Sequence, residues 1–390
     1  MRVIYLDNNA TTRIADEVME EMLPYLGELY GNPSSMHTFG GQVHRRIEVA
    51  RERVAELVNA GPDEIVFTSC GTESDNTAIM SALDSNPQKK HILTTRVEHP
   101  AVLNFCKAMY RKGHKITFLP VDKSGRLNLE ELKAAITDDT AIVSIMYANN
   151  ESGVVFPLNE IAEIVKSKGA VFHTDAVQAV GKIPIDVKKL PVDMLSISGH
   201  KVHAPKGVGA LYIKRGTRFS PYIVGGHQEG GRRAGTENVA SVAGLGKACG
   251  LAKEHLSETD RMKSLRDRLE EGLLKTCPDS RVNGDTVNRL PNTTNISFEY
   301  VEGEAILLRL NEFNVCASSG SACSSGSLEP SHVLRAMGVP FTAIHGSVRF
   351  SLSRYNTDED IDFVLMKMPE IIKELRELSP YGKGPGKVYP

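Results

Sequence analysis

The amino-acid sequence predicts an α/β fold in which helices cover a mostly parallel sheet. Short apolar runs of strand type alternate with helical segments along the first two thirds of the chain, which is the pattern of a doubly wound sheet. Ile47, Val54 and Val58, for example, lie at helical spacing just before a strand-like run. After about His255 the alternation ends and an amphipathic helix begins near Thr259, which indicates a second, smaller α+β domain.

The same patterns divide the chain into three parts. We expect residues 14–257 to form a large domain, and residues 1–13 with 258–378 to form a small domain that carries a mobile cysteine loop. Residues 379–390 are rich in glycine and proline and are expected to be a flexible tail. Strand-like runs of the large domain lie at residues 64–68, 91–95, 116–120, 141–146, 170–173, 192–197 and 207–213. In the small domain we expect strands at 295–299 and 347–352 and helices at 303–311 and 358–378.

The composition excludes several classes of protein. With 390 residues, 41% of them hydrophobic and 24% charged, the chain has the balance of an ordinary globular protein that is long enough for two domains. A net charge of −2 gives no basic field that would favour nucleic acid. There is no run of about 18 apolar residues and no signal-peptide core at the N-terminus, so we expect a cytoplasmic protein without a membrane span. Six cysteines spread over the chain are not a disulfide framework.

Polar side chains follow four of the predicted strands. His99, Asn150, Asp175 and Lys201 each come shortly after a strand-like run, and Gln178 follows Asp175 closely. The carboxyl ends of parallel strands meet at one edge of a sheet, where open α/β sheets bind their ligands. We therefore expect an active site at this edge.

Lys201 is the candidate for covalent attachment of a carbonyl cofactor. It ends the turn Ser198-Gly199-His200-Lys201 after a buried strand, and a desolvated lysine at that place could form a Schiff base. Pyridoxal phosphate requires such a lysine and an acid that pairs with its ring nitrogen, and Asp175 is the candidate acid. The alternatives are a solvated surface lysine and a loop or capping aspartate, which are commoner roles for these residue types.

Two further features could bind anionic groups. The strand-like run at 64–68 leads through Ser69-Cys70-Gly71-Thr72 into a helical run, and the free N–H groups at a helix start could bind a phosphate. Arg349, in a strand-like segment of the small domain, could bind a carboxylate through two parallel hydrogen bonds. The alternatives are an ordinary strand-to-helix turn and a solvated arginine.

Cys323 is the candidate nucleophile. It lies in the run of small residues from Cys316 to Ser327, which cannot build a core and should be mobile. A thiol on such a loop can meet a substrate and later a second protein, and the alternative is an incidental exposed thiol. Cys316 closes the preceding apolar stretch and is expected to be buried. The remaining cysteines show no paired metal-binding spacing.

Four motifs together resemble the cysteine desulfurases, which are class V members of the fold-type I pyridoxal-phosphate enzymes. They are Ser-Gly-His-Lys at 198–201, Thr-Asp-Ala-Val-Gln at 174–178, Glu-His-Pro at 98–100 and Ser-Gly-Ser-Ala-Cys at 319–323. The resemblance extends from Tyr5 to about Tyr381, and it is strongest to the nitrogen-fixation type at residues 67–74, 232–238 and 379–381. It implies a large domain built on a mostly parallel, seven-stranded type of sheet, together with a smaller α+β domain.

The resemblance also implies roles for individual residues. Lys201 would bind the cofactor, Asp175 would pair with its ring nitrogen, and His99 would stack on the ring and transfer protons. Gln178 and Asn150 would contact the cofactor's phenolic oxygen and the substrate side of the site. The remaining cofactor-binding set, which includes the phosphate-binding residues, would be Gly71, Thr72, Ser198, Gly199 and His200, with Thr236 donated by the second subunit of a homodimer.

The implied reaction converts L-cysteine to L-alanine and leaves the sulfur as a persulfide on Cys323. Arg349 would bind the substrate carboxylate, assisted by Asn150. An iron–sulfur scaffold protein would collect the sulfur, with nitrogenase clusters as one destination, and Cys323 could also ligate a transient [2Fe-2S] cluster shared with that scaffold. The alternatives are a selenocysteine lyase on the same fold and a non-catalytic iron–sulfur scaffold.

Two positions depart from the family pattern. Gly230 stands where relatives more often carry arginine, so one positive charge near the cofactor loop or partner surface is missing. Cys316 stands where a small alanine is usual, and a disulfide with Cys323 could switch the enzyme off.

Overall fold

The computed structural model describes residues 2–319 and 330–379. The strands of these residues are β1 (Ile4–Tyr5), β2 (Ile65–Thr68), β3 (His91–Thr95), β4 (Lys115–Leu119), β5 (Thr140–Ser144), β6 (Val171–Asp175), β7 (Met194–Ser198), β8 (Gly209–Ile213), β9 (Ser280–Val282), β10 (Thr293–Phe298), β11 (Val315–Cys316) and β12 (Ser347–Ser351). The α-helices are α1 (Asp16–Met22), α2 (Thr38–Val58), α3 (Gly71–Asp84), α4 (Pro100–Arg111), α5 (Leu129–Ala135), α6 (Leu158–Ser167), α7 (Val239–His255), α8 (Thr259–Thr276), α9 (Gly303–Glu312), α10 (His332–Ala336), α11 (Phe341–Ile344) and α12 (Asp358–Leu378). All strand-like runs that the sequence predicts appear among them.

The large sheet confirms the predicted mostly parallel architecture. It has seven strands in the order β2-β8-β7-β6-β5-β3-β4, and the pairs from β7 to β4 are parallel. β8 runs antiparallel to both β2 and β7 because it follows β7 after a connection too short for a parallel crossover. β2 therefore points the same way as β7. The carboxyl ends of β2, β3, β5, β6 and β7 consequently lie at one edge of the sheet.

Both faces of the large sheet are buried. Phe67 and Leu195 contribute to one apolar core, whereas their neighbours Val66 and Met194 contribute to a second core on the opposite face. This alternation follows from the period of two in a strand, and it requires helices on both sides of the sheet. The sheet is therefore a rigid support that presents only its edges to ligands.

A separate apolar core holds the last third of the chain together. It packs α8, α9 and α12 against the antiparallel sheet β12-β10-β9. Ile4 and Leu6 from the N-terminus join the same core, and β1 pairs with β11. The proposed boundaries at residues 14, 257 and 378 remain predictions. None of the described helices combines the length and the apolarity that a membrane crossing requires.

Two predictions about local structure need correction. β6 extends through Asp175, and β7 through Ser198, so both residues end a strand instead of following one. The backbone ladder continues past the apolar run because Asp175 still pairs with Ser196 in β7. Cys316, which was expected to be buried, is only half-buried. It lies in a sheet that has only two strands, β1 and β11, among the described residues.

A buried ion pair ties the loop before α7 to α2 and β2. The Arg51 guanidinium donates to Glu229 Oε2 at 2.6 Å and to Oε1 at 2.9 Å, and Phe67 N donates to the same carboxylate at 2.9 Å. Glu229 and the following Gly230 have φ angles of 51° and 63°. A glycine adopts this left-handed conformation without steric cost, which accounts for glycine at position 230.

Replacing Glu229 with leucine should lower the free energy of unfolding by about 3 kcal/mol, because Arg51 would stay buried without its partner. Glu48 provides a matched control, since it contacts the same guanidinium at 3.2 Å from a more exposed position. Glu48→Gln should cost no more than about 1 kcal/mol in the same denaturant titration. An equal decrease in the free energy of unfolding for Glu229→Leu and Glu48→Gln would contradict the idea that burial makes the Arg51–Glu229 pair important for stability.

Candidate active site

The turn that carries Lys201 docks against the N-terminal segment of the chain. Lys201 ends a single 3₁₀ turn, Gly199–Lys201, directly after β7. Its ammonium nitrogen Nζ donates to Asn9 O at 2.5 Å and to Ala10 O at 2.7 Å. Thr12 N donates to His200 O at 2.9 Å, which holds the segment on the turn. The predicted lysine is thus half-buried between the sheet edge and the N-terminal segment.

Asn9 connects several of the predicted site residues. Its backbone oxygen accepts from Lys201 and also from Gln178 Nε2, at 2.9 Å. Its side-chain Nδ2 donates to Asn150 O at 3.2 Å, and its Oδ1 accepts from Lys182 Nζ at 3.1 Å. Asn9 is only 1% exposed. The sequence analysis did not assign Asn9 or Lys182 to the site, although Asp7-Asn8-Asn9 is a polar run that directly follows an apolar one.

Arg349 reaches the same place from β12. Its Nη1 donates to Asn150 O at 2.9 Å, and its Nη2 pairs with Asp7 Oδ1 at 2.6 Å. The residue is 2% exposed, and its Nε is buried without a hydrogen-bond partner among the described residues. A buried guanidinium N–H without a partner is costly unless a ligand completes it. A carboxylate of a small substrate is the group that matches it.

Both ends of the segment that carries Cys323 are attached close to this site. Cys323 itself lies outside the described residues. On one side, Ser318 exchanges backbone hydrogen bonds with Arg349, at 2.6 and 3.2 Å. On the other side, the Ser331 hydroxyl donates to Glu151 Oε2, next to Asn150. The segment therefore leaves and rejoins the described structure beside the predicted carboxylate-binding residue.

His99 caps the helix that follows β3. Its Nδ1 accepts from Ala101 N at 3.2 Å, so the ring hydrogen of the neutral form lies on Nε2. Burial, and after it the charges of Lys201 and His332, lower the pKa of His99 to about 4. The imidazole is thus neutral at physiological pH, and Nε2–H is a donor in the neighbourhood of Lys201.

Asp175 lies in a group of three buried acids. Burial raises the pKa of Asp175 to about 6, against the opposing effects of a hydrogen bond from Val177 N and the charge of Lys201. Burial and then the charge of Asp175 raise the pKa of Asp75 well above its ordinary value, and burial raises that of Glu98 to about 8. Asp175 is therefore the acid that ionises first. The sequence analysis did not recognise Asp75 or Glu98 as neighbours of the site.

The turn from β2 into α3 forms an open anion cradle. α3 begins at Gly71, and its N-cap residue Cys70 makes no side-chain capping bond. A Cβ atom at Gly71 would lie 2.9 Å from Val177 Cγ2 and 3.3 Å from Ser198 Cβ. Only glycine therefore lets the start of α3 pack this closely against the ends of β6 and β7. Thr72 is exposed at the same helix start. The N–H groups of the helix start are thus available to an anion beside Ser198.

The remaining residues predicted to bind the cofactor differ from one another in how far they are buried. Gly199 is buried, and a Cβ there would lie 2.9 Å from Val208 Cγ1. His200 Nδ1 lies 3.2 Å from Thr11 Oγ1, and burial and the charge of Lys201 lower its pKa to about 4. Thr236 is exposed in the loop before α7. Residues 2–319 and 330–379 contain no cluster of three or more His, Cys, Asp or Glu side chains arranged to bind a metal.

Comparison with known proteins gives matches along nearly the whole chain. The family described as "Aminotransferase class-V" matches residues 4–364. A cysteine desulfurase of Trichormus azollae is 62% identical over 382 residues, which cover 98% of this chain and 96% of that protein. The cysteine desulfurase NifS of Azotobacter vinelandii is 57% identical over 390 residues, which cover 100% of this chain and 97% of that protein.

Solved structures agree with these matches. A structure described as "NIFS-LIKE PROTEIN" has a TM-score of 0.90 at 41% identity and covers 96% of this chain and 100% of its own. One described as "SspA in complex with cysteine" has a TM-score of 0.80 at 34% identity and covers 91% of this chain and 100% of its own. From sequence and structure together, the chain belongs to the class-V aminotransferase family and, within it, to the cysteine desulfurases.

Proposed function

We propose that this cysteine desulfurase holds pyridoxal 5′-phosphate on Lys201, converts L-cysteine to L-alanine and leaves the sulfur on Cys323. The observation that supports this most strongly is the network around Asn9. Asn9 O accepts from Lys201 and Gln178, while Asn150 O accepts from both Asn9 and Arg349. The cofactor anchor, a donor for the cofactor and the carboxylate-binding arginine are therefore linked by one continuous set of hydrogen bonds.

The residues present fit the cofactor on which the class-V family depends. The start of α3 has no side-chain cap, which suits a phosphate. The close approach of Gly71 to Ser198 brings that helix start next to the turn that carries Lys201. Asp175 is a buried carboxylate with no cationic side chain in ion-pair contact among the described residues, and a protonated ring nitrogen would supply that partner.

This fit assigns a role to each residue that would bind the cofactor. Lys201 would carry the cofactor, Asp175 would contact its ring nitrogen, and Gln178 would donate to its phenolic oxygen. The phosphate would lie among Gly71, Thr72, Ser198, Gly199 and His200, with Thr236 contributed by a second subunit. When bound, pyridoxal 5′-phosphate supplies a sink for the electron pair that is released at the substrate α-carbon.

Proton transfer would rest on two residues of this chain. Lys201 is held by the backbone oxygens of Asn9 and Ala10, and its amine, once the substrate replaces it, would remove the α-proton. His99 is neutral with its hydrogen on Nε2, so it can donate there without first taking up a proton. Lys201 and His99 would thus be the catalytic residues on the described part of the chain.

Arg349 would hold the substrate while Cys323 takes the sulfur. The Cys323 thiolate would form a new S–S bond as the substrate C–S bond breaks, and a proton would replace the sulfur at that carbon. The products, alanine and one persulfide, contain all atoms of the cysteine and the enzyme thiol. The sulfur is oxidised as the carbon is reduced, so no outside oxidant is required.

A homodimer would complete the site with Thr236. Several apolar side chains remain exposed in the single chain: Leu26 is 67%, Tyr30 77% and Val224 82% exposed. The residues shortly after Tyr30 and Val224 line one cleft of about 780 Å³. Exposed apolar surface next to such a cleft is typical of a protein interface, and it supports a second copy of the chain as the partner.

The acceptor of the sulfur would be an iron–sulfur scaffold protein in the cytoplasm. A persulfide survives where thiols are kept reduced and is passed on by thiol exchange. The similarity to NifS of Azotobacter vinelandii supports nitrogenase clusters as a destination. A [2Fe-2S] cluster ligated by Cys323 during transfer belongs to the same proposal.

Arg349→Ala should raise the KM for L-cysteine about 10- to 100-fold, because the substrate carboxylate would lose a charged bidentate partner. Steady-state kinetics of alanine formation measure the change. Arg281→Ala is the matched control, since Arg281 lies in the same three-stranded sheet but points its guanidinium at Glu299. An unchanged KM for Arg349→Ala would place the carboxylate elsewhere.

The proposed function is tested by mixing the purified protein with pyridoxal 5′-phosphate and then with substrate. A visible absorbance band that changes on addition of L-cysteine, with alanine as product, is the expected result. Selenocysteine is assayed in parallel, and turnover of selenocysteine alone would identify a selenocysteine lyase. A protein that stays colourless and forms no alanine would contradict the proposal and favour a non-catalytic role.

A further inference from the structure

Lys182 is a buried lysine next to the site that the proposed reaction does not use. It is 7% exposed. Its Nζ donates to Gln178 Oε1 at 2.7 Å and to Asn9 Oδ1 at 3.1 Å, and both acceptors are neutral amide oxygens. No carboxylate in the described part of the chain forms an ion pair with it. Burying an amine without a counter-ion is costly, so its position calls for an explanation.

The contacts of Lys182 and Asn9 together orient the Gln178 amide. An N–H of the Lys182 amine donates to Oε1. Asn9 O can only accept, so the atom that contacts it must be Nε2. The second hydrogen on Nε2 is then what Gln178 can offer to a ligand, because Oε1 is engaged by Lys182.

The Gln178 amide lies beside the amine that would carry the cofactor. Gln178 Nε2 and Lys201 Nζ share the acceptor Asn9 O, at 2.9 and 2.5 Å. In pyridoxal 5′-phosphate the phenolic oxygen is on the carbon next to the one that bears the aldehyde. A donor close to Lys201 Nζ therefore matches that oxygen, whereas an amide oxygen in its place would repel a phenolate.

We propose that Lys182 is a positioning residue, which holds the Gln178 amide with its N–H toward the phenolic oxygen of pyridoxal 5′-phosphate on Lys201. The proposal rests on the proposed function, since it requires that cofactor. Lys182 and Lys201 line the same cavity of about 60 Å³. Burial, followed by the charges of Lys201 and Arg349, lowers the pKa of Lys182 well below its ordinary value.

A double-mutant cycle on cofactor binding tests the proposal. Apoproteins of the wild type, Lys182→Met, Gln178→Ala and the double variant are titrated with pyridoxal 5′-phosphate, and visible absorbance is followed. Each single variant should bind about tenfold more weakly, because one hydrogen bond is lost or misdirected. The double variant should bind no more weakly than Gln178→Ala alone, because Lys182 acts through Gln178. Both single variants should also shift the pH midpoint of the visible band in the same direction.

The exposed Lys189, whose side chain is 86% exposed, provides the control Lys189→Met, which should bind the cofactor like the wild type. The proposal would be overturned if the double variant bound the cofactor more weakly than Gln178→Ala alone. Wild-type affinity for the cofactor in Lys182→Met would overturn it as well. If Lys182→Met does not fold, the same cycle is run with Lys182→Gln. Adding Lys182→Gln to Gln178→Ala must then cause no further loss of cofactor affinity. A wild-type apoprotein that forms no visible band would instead overturn the proposed function, and this proposal with it.

Discussion

Lys201→Ala is expected to reduce alanine formation by more than about 1,000-fold, because both the covalent anchor of the cofactor and the base at the α-carbon would be lost. The cofactor could still bind through Asp175 and the anion cradle at Gly71, so the protein should retain some of it by equilibrium dialysis. Alanine release from L-cysteine, measured with saturating cofactor, provides the readout.

The matched control is Lys189→Ala, which removes an exposed lysine that pairs with Asp186 and should leave turnover unchanged. The unfolding midpoint of the apoprotein shows whether the Lys201 turn still docks on the N-terminal segment, since Lys201 donates to Asn9 O and Ala10 O. Near-normal turnover by a folded Lys201→Ala protein would disprove the role of this lysine.

Cys323→Ala is expected to reduce persulfide formation and turnover by about 1,000-fold or more, while leaving the cofactor band and its response to L-cysteine in place. The reason is that this substitution changes none of the residues assigned to cofactor binding. Absorbance spectra and an assay of protein-bound sulfur separate the two effects.

Cys316→Ala serves as the control for this variant. Cys316 is half-buried in β11 and contacts neither Lys201 nor Arg349 through a described hydrogen bond, so its loss should leave turnover intact under reducing conditions. Under oxidising conditions it also tests the suggested Cys316–Cys323 disulfide, which requires both thiols. Sulfide release from L-cysteine that continues at the wild-type rate in Cys323→Ala would contradict the assignment of the nucleophile.

The framework of the site was predictable because its signals are local. Each strand of the large sheet is a short apolar run, and His99, Asp175 and Lys201 lie where those runs end. The parallel order of β3, β5, β6 and β7 then brings these ends together without further information. A lysine and an acid at one sheet edge suggested pyridoxal phosphate, and the resemblance to the cysteine desulfurases then favoured it over the commoner roles of these residue types.

The contacts that connect the site were not predictable, since they join residues far apart in sequence. Gln178 and Lys201 reach Asn9 across 169 and 192 positions. Lys182 and the buried acids Asp75 and Glu98 look like ordinary charged residues until the fold removes them from water. Their roles depend on burial. The Glu-His-Pro motif at 98–100 contains Glu98 but does not show that it is buried, and no periodicity indicates the burial of Asp75 or Lys182.

Helix α2 shows a different limit. The sequence analysis recognised only its apolar second half, from Ile47, whereas the helix begins at Thr38. Its first turn contains Gly40 and Gly41, which are poor helix formers. A Cβ at Gly40 would lie 2.4 Å from Asn32 O, so the glycine is required by close packing that only the folded chain shows.

The most direct test of the central claim is a single turnover with one equivalent of L-cysteine, followed by mass spectrometry of the intact protein and its peptides. The account predicts one added sulfur atom on the Cys323 peptide and an equal amount of alanine, with no sulfur on the peptides of the other cysteines. Alanine formed without sulfur on Cys323, or sulfur retained without alanine, would contradict it.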